Sequence, residues 1–277
     1  MLHSRSTTLS RPVELVLWAL IPALILTNVA WVLAHGDTRV LLTILGVLIF
    51  FTISAVHLWS SQGPPRALIF MVIILGITWC VEAIGVATGL PFGTYSYSSQ
   101  LGVSLLGVPL LIPMAWFMMA YPCWLVGRST TTNPIGRVTI SVVLLVAWDI
   151  FLEPQMVGEG YWQWNSTATI PASNYVGWLV TALVLMICLH SLRTAPTASY
   201  QPQLAATLAW VYVSNVLAGA VFFGRPLTAL LGALVMGIPL LLWLRRARPF
   251  SRVEPSSTAQ TQAPVAQDRP VKHSDRA

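Results

Sequence analysis

"LLVAWDIFLEPQMVGEGYWQW" (144–164) opens as unbroken apolar helix, then carries Asp149 and Glu153 four positions apart, and ends in a run of aromatics. An apolar run of this kind reads as a membrane helix, and two carboxylates inside it are costly to insert. The rest of the chain supports the membrane reading. Of its 277 residues, 56% are hydrophobic and 9% are charged, with a mean hydropathy of +0.72. Soluble domains carry about 25% charged residues, so this chain cannot cover a water-facing surface. The fold class is therefore an all-α polytopic transmembrane bundle.

A crossing helix needs about 20 mostly apolar residues. About eight runs qualify: 13–34, 40–60, 67–89, 103–127, 135–153, 175–192, 204–223 and 226–244. The first is too long for a signal-peptide core of about 7–15 residues and lacks a convincing cleavage site, so it is kept as a span. Three units follow: a short segment 1–12, a helical domain 13–244, and a basic tail 245–277. The tail is rich in Pro, Gln, Ser and Thr and is expected to be disordered. Pro154 is expected to end or kink the fifth helix. Pro109, Pro113 and Pro122 interrupt the fourth.

The formal charge is +6, but the arginines lie between and after the apolar runs. That distribution fits the positive-inside rule and not a nucleic-acid partner. With the N-terminus inside, Arg5, Arg11, Arg66, Arg128, Arg137, Arg193 and the basic tail are cytoplasmic, leaving Arg39 and Arg225 in outer loops. Both termini are then cytoplasmic, in a multi-pass protein of the cell membrane. Cys80, Cys123 and Cys188 fall in separate runs without ligand spacing and read as small hydrophobes.

Depth follows from a rise of about 1.5 Å per residue. Glu82 lies 16 positions beyond Arg66, roughly 24 Å up its span, and Asp149 lies 14 beyond Ile135, roughly 21 Å up. Glu153 is one turn higher. Three carboxylates from two helices thus share the outer third of the bilayer. The adjoining loops, 89–102 and 158–178, contain no basic residue but hold Tyr95, Tyr97, Tyr161, Trp162, Trp164, Tyr175 and Trp178.

Single Trp and Tyr residues at this depth are ordinarily interfacial anchors. The acids are harder to dismiss. Each costs about 2.5–3.5 kcal/mol near a helix centre, and no Lys or Arg in the outer halves of the spans is placed to pair with them. Burial and mutual repulsion favour keeping at least one neutral. A neutral acid beside a carboxylate is a proton donor beside an acceptor. Asn28 and Asn215 read equally as helix–helix contacts or substrate-facing groups, and His57 reads as structural.

Histidine boxes for a di-iron centre, acidic clusters for diphosphate and magnesium, a phosphate-binding glycine loop and a nucleophile elbow are all missing from the sequence. Among enzymes, that leaves acid–base chemistry on an apolar substrate, with no metal and no cofactor.

Two stretches, "VEAIGVATGLPFGTYSYSSQLGVSLLGVPLLIPMAWFMMAYP" (81–122) and "AWDIFLEPQMVGEGYWQWNSTATIPASNYVGWLV" (147–180), resemble the CruF-type carotenoid 1′,2′-hydratases, the family that includes bisanhydrobacterioruberin hydratase. The resemblance covers about the third to sixth spans. Glu153 stands where that pattern more often has Asp. The resemblance implies addition of water to the terminal double bond of an acyclic carotenoid, without a cofactor, and other carotenoid enzymes as partners in the bilayer. Glu82, Asp149 and Glu153 are then the catalytic residues, with Asp149 or Glu82 as acid. Trp148 and the loop aromatics named above, with Phe92 and Asn174 from the same stretches, face the substrate. A cyclisation that starts from the same protonation is one competing reading, and a proton-coupled lipid carrier is another.

Overall fold

The computed structural model describes residues 9–165, 169–195 and 201–247. The expected disordered tail therefore falls almost wholly outside the described residues, as does most of the segment 1–12. Eight helices follow one another: α1 (Arg11–Leu33), α2 (Gly36–Gln62), α3 (Pro64–Thr88), α4 (Leu111–Thr130), α5 (Pro134–Gly158), α6 (Ala172–Ser191), α7 (Pro202–Leu217) and α8 (Pro226–Ala247). A π-helical turn, Ala218–Phe222, extends α7. Proline occupies the first turn of α1, α3, α5 and α7, where its missing N–H costs nothing. Asn133 caps α5 by accepting from the N–H groups of Ile135 and Gly136.

Seven of the helices are long and apolar enough to cross a membrane, with α7 counted together with its π-helical turn. The protein is accordingly a multi-pass membrane protein. The exception is α4, which differs in environment: sixteen of its 20 residues are buried. It packs against α2, α3, α5, α6 and α8. A helix surrounded by protein does not have to satisfy lipid on any face, so it can carry Trp116, Tyr121 and Trp124 inward.

The expected fourth span, 103–127, begins too early. Residues 104–109 form a hairpin of β2 (Ser104–Leu105) and β3 (Val108–Pro109), and α4 starts after it. Gly107 at φ +79° turns that hairpin. Pro109 lies in β3 and Pro113 in the first turn of α4, so only Pro122 is interior. Of the two outcomes expected at Pro154, the helix end is not found: α5 continues through it to Gly158. The extra turn is closed by Glu159 N donating to Gln155 O and Tyr161 N to Met156 O. Arg39, expected in a loop, sits in the first turn of α2 and pairs with Glu159 at 2.7 Å.

Two further strands build the feature that matters most. β1 (Tyr95–Tyr97), from the α3–α4 connection, pairs antiparallel with β4 (Trp162–Trp164), from the α5–α6 connection. Tyr95 lies opposite Trp164 and Tyr97 opposite Trp162. Because side chains alternate along a strand, all four aromatics share one face, and Ser96 and Gln163 share the other.

Candidate active site

The ladder's aromatic face meets two of the three acids, Glu82 and Glu153. Glu82, on α3, is 5% exposed, and Glu153 and Asp149, on α5, are 2% and 0% exposed. Glu82 Oε2 accepts from Tyr95 Oη at 2.6 Å and Tyr97 Oη at 2.8 Å, and Oε1 accepts from Trp116 Nε1 at 3.0 Å. Glu153 Oε1 accepts from Trp162 Nε1 at 3.0 Å and Trp164 Nε1 at 2.8 Å. Each strand thus serves the acid of its own half of the chain: β1 binds Glu82 and β4 binds Glu153. Pairing the strands brings the two acids together.

Local sequence explains the fit. Gly85 is one turn beyond Glu82, and a Cβ there would lie 2.7 Å from Tyr95 Oη. Only glycine lets the phenol reach the carboxylate across α3. Burial and the Glu82 carboxylate both push the Tyr95 and Tyr97 phenols above their ordinary value, so they remain donors.

Asp149 is held differently. Its Oδ2 accepts from Asn174 Nδ2 at 3.4 Å, and its Oδ1 has no partner among the described residues. A buried carboxyl with a free oxygen is uncommon and costly.

A cavity of about 120 Å³ lies among these groups. Glu82 and Glu153 line it, while Asp149 lies one turn deeper on α5, behind the wall. Of the expected substrate-facing residues, Phe92, Tyr95, Tyr97, Trp148, Trp162, Trp164, Asn174 and Trp178 do line the cavity. Tyr161 does not: its hydroxyl is 2.7 Å from Thr43 Oγ1, tying β4 to α2. Tyr175 is also off the wall, 37% exposed on the outside of α6.

Sequence reasoning missed Trp116, which both donates to Glu82 and stacks on Trp178 with centroids 3.8 Å apart and planes 17° from parallel. It lies within the stretch 81–122, but nothing local sets it apart from an interfacial anchor. Trp148 meets Trp178 edge-on at 6.1 Å. The wall therefore offers aromatic faces beside two carboxylates, an arrangement suited to a transient cation. His57 lies elsewhere, bonded to Tyr121 at 2.7 Å and Gln201 at 3.1 Å.

The comparisons with known proteins agree with this picture. Over 131 residues the chain is 30% identical to a bisanhydrobacterioruberin hydratase of Haloarcula japonica, a match covering 44% of this chain and 44% of that protein. The chain thus matches less than half the length of that relative. No solved structure matches it. A family model described as "Carotenoid biosynthesis protein" matches residues 39–239, which include the eight expected substrate-facing residues on the cavity wall, the three acids and the ladder. The chain belongs to the carotenoid biosynthesis protein family.

Proposed function

We propose that the protein is a hydratase that adds water across the terminal 1′,2′ double bond of an acyclic carotenoid. The observation that carries this reading is the pair of carboxylates, Glu82 and Glu153, fixed by one aromatic ladder on the wall of a small apolar cavity. The relative named as a hydratase supports the same chemistry.

Glu153 and Asp149, one helical turn apart, share a proton, and Glu153 presents it to the cavity. Transfer to the terminal double bond forms a C–H bond at the secondary carbon and leaves a tertiary cation. Glu82 holds three donors on its two oxygens, so it serves as the fixed negative partner of that cation. The Trp116–Trp178 stack adds about 2 kcal/mol or more of cation–π stabilisation when desolvated. Water then attacks the cation, a C–O bond forms, and the proton released returns to the Asp149–Glu153 pair. The net change is one water added, with no electrons gained or lost and no cofactor needed.

Expression in a host that makes acyclic carotenoids should yield a tertiary alcohol, heavier by one water for each end hydrated. Unchanged pigments, with the protein demonstrably in the membrane, overturn the reading for those substrates. An isomer of unchanged mass with a ring at its end supports cyclisation instead.

A further inference from the structure

A second cavity, of about 410 Å³, lies beside the first, between α1, α2, α5, α7 and the π-helical turn. The two share six wall residues: Thr43, Val47, Met118, Trp148, Leu152 and Met156. They are therefore neighbouring chambers across one partition, and two methionines form part of it. Methionine is unbranched and adaptable, so the partition can yield to a ligand.

The sizes differ in a way that assigns roles. A cavity of about 150 Å³ holds benzene, so the first chamber takes only the end of a hydrocarbon. Pockets for larger ligands run about 300–1,000 Å³, and the second chamber falls in that range. Among the described residues its wall carries no charged side chain; Asn28, Gln155, Ser214 and Asn215 are among its few polar groups. Trp31, Phe50, Trp210 and Phe223 give it aromatic surface. It reaches the outside of the bundle, because Leu33, Leu217 and Phe222 on its wall are 72%, 52% and 55% exposed.

The π-helical turn is a second and independent sign. Such turns make up well under 1% of residues and concentrate at functional sites. Here Ala218 and Phe222, the two ends of the turn, both line the chamber.

We propose that the second chamber binds the conjugated arm of the same acyclic polyene whose end group occupies the first, admitting it sideways from the bilayer between α1 and the end of α7. This rests on the hydratase reading for the identity of the ligand. Conjugated hydrocarbon needs no hydrogen bonds and gains from flat aromatic neighbours, which is what this wall provides. Asn28 and Asn215 thereby acquire a place beside the ligand path.

The test uses the full-length protein in lipid vesicles and two filling substitutions, Ser214→Phe within the chamber and Val29→Trp at its mouth. Neither residue touches the acids. Two substrates are compared: a long acyclic carotenoid, and a short isoprenoid of two or three units with the same end group. Each substitution should lower kcat/KM for the long substrate by about tenfold or more, equivalent to about 1.4 kcal/mol, and leave the short one within about twofold. Equal losses for both substrates, or no loss for either, overturn the channel.

If the wild type hydrates neither substrate, the hydratase reading fails, and polyene binding still decides the channel. Induced circular dichroism of the bound polyene should appear with wild type and vanish with both substitutions. Its persistence in both overturns the proposal. So does a co-purifying phospholipid that both substitutions expel and the polyene cannot displace.

Discussion

Glu82 and Asp149 are both buried carboxyls, yet their surroundings ask different things of them. Glu82 is crowded by donors, two phenols and an indole, whereas Asp149 has one long bond to Asn174 and an oxygen without a partner. In the proposed chemistry the first holds charge and the second holds a proton. Substituting Glu82→Gln or Asp149→Asn should each lower turnover by about 10²–10⁴-fold, measured as hydrated pigment per unit of membrane-inserted protein. Wild-type rates in either variant remove that residue from the chemistry. Tyr97→Phe is a finer probe, since it deletes one donor and little volume. A hydrogen bond to a charged group contributes about 1.5–3 kcal/mol, so the rate should fall by roughly ten- to a hundredfold, with KM for the carotenoid nearly unchanged. A fall in affinity without a fall in kcat would instead make Tyr97 a simple wall residue.

Among the elements, the β1–β4 ladder is the least expected and the most consequential. Both strands are three residues long, too short to stand alone in water. Cross-strand contacts support them, with Tyr95 5.4 Å from Trp164 and Tyr97 5.8 Å from Trp162. Gly85 lets this sheet sit close to α3. Gly85→Ala should shift Tyr95 off Glu82 and cost about 1–3 kcal/mol, as crowding in packed interiors does, read as a lower melting temperature in detergent together with lower activity. Unchanged melting and activity would show that α3 yields at no cost. The helices, and the placing of the three acids towards one end of α3 and α5, were legible in the sequence, because apolar run length and the positions of Glu82, Asp149 and Glu153 carry that information directly. The ladder was not. "YSY" and "WQW" alternate with period two, but three residues are too few to distinguish a strand from a loop rich in interfacial aromatics. Pairing between connections 65 residues apart leaves no local mark. The same reason hid Trp116, whose partner Trp178 is on another helix, and the burial of α4, which hydropathy alone cannot separate from a lipid-facing span.

At the scale of the molecule, α4 is the helix about which the others are arranged, and α5, packed on it, also carries α6 and α8. Small residues allow the approach: a Cβ on Gly127 of α4 would collide with Ser141 and the Arg137 carbonyl, and one on Gly232 of α8 would collide with the Phe151 ring. Close helix contact through small residues is how membrane bundles gain packing energy. Gly127→Val should therefore destabilise the whole bundle by more than Arg39→Gln does. The Arg39–Glu159 pair is partly exposed, at 15% and 23%, and such pairs contribute about 0.2–1 kcal/mol. Thermal unfolding of both variants in one detergent checks the order, and the reverse ranking would show that α5 is held chiefly by its end and not along its length.

Each acid takes its hydrogen bonds from its own portion of the chain, Glu82 from residues 95, 97 and 116 and Glu153 from residues 162 and 164. The turn between α4 and α5 separates the two portions. A polypeptide divided at that turn would leave both carboxyls with their native donors, and only the main-chain ladder and the helix contacts would have to be re-formed between fragments. Two co-produced fragments should then complement one another in the membrane, and the colour of the host's pigments would report their reunion.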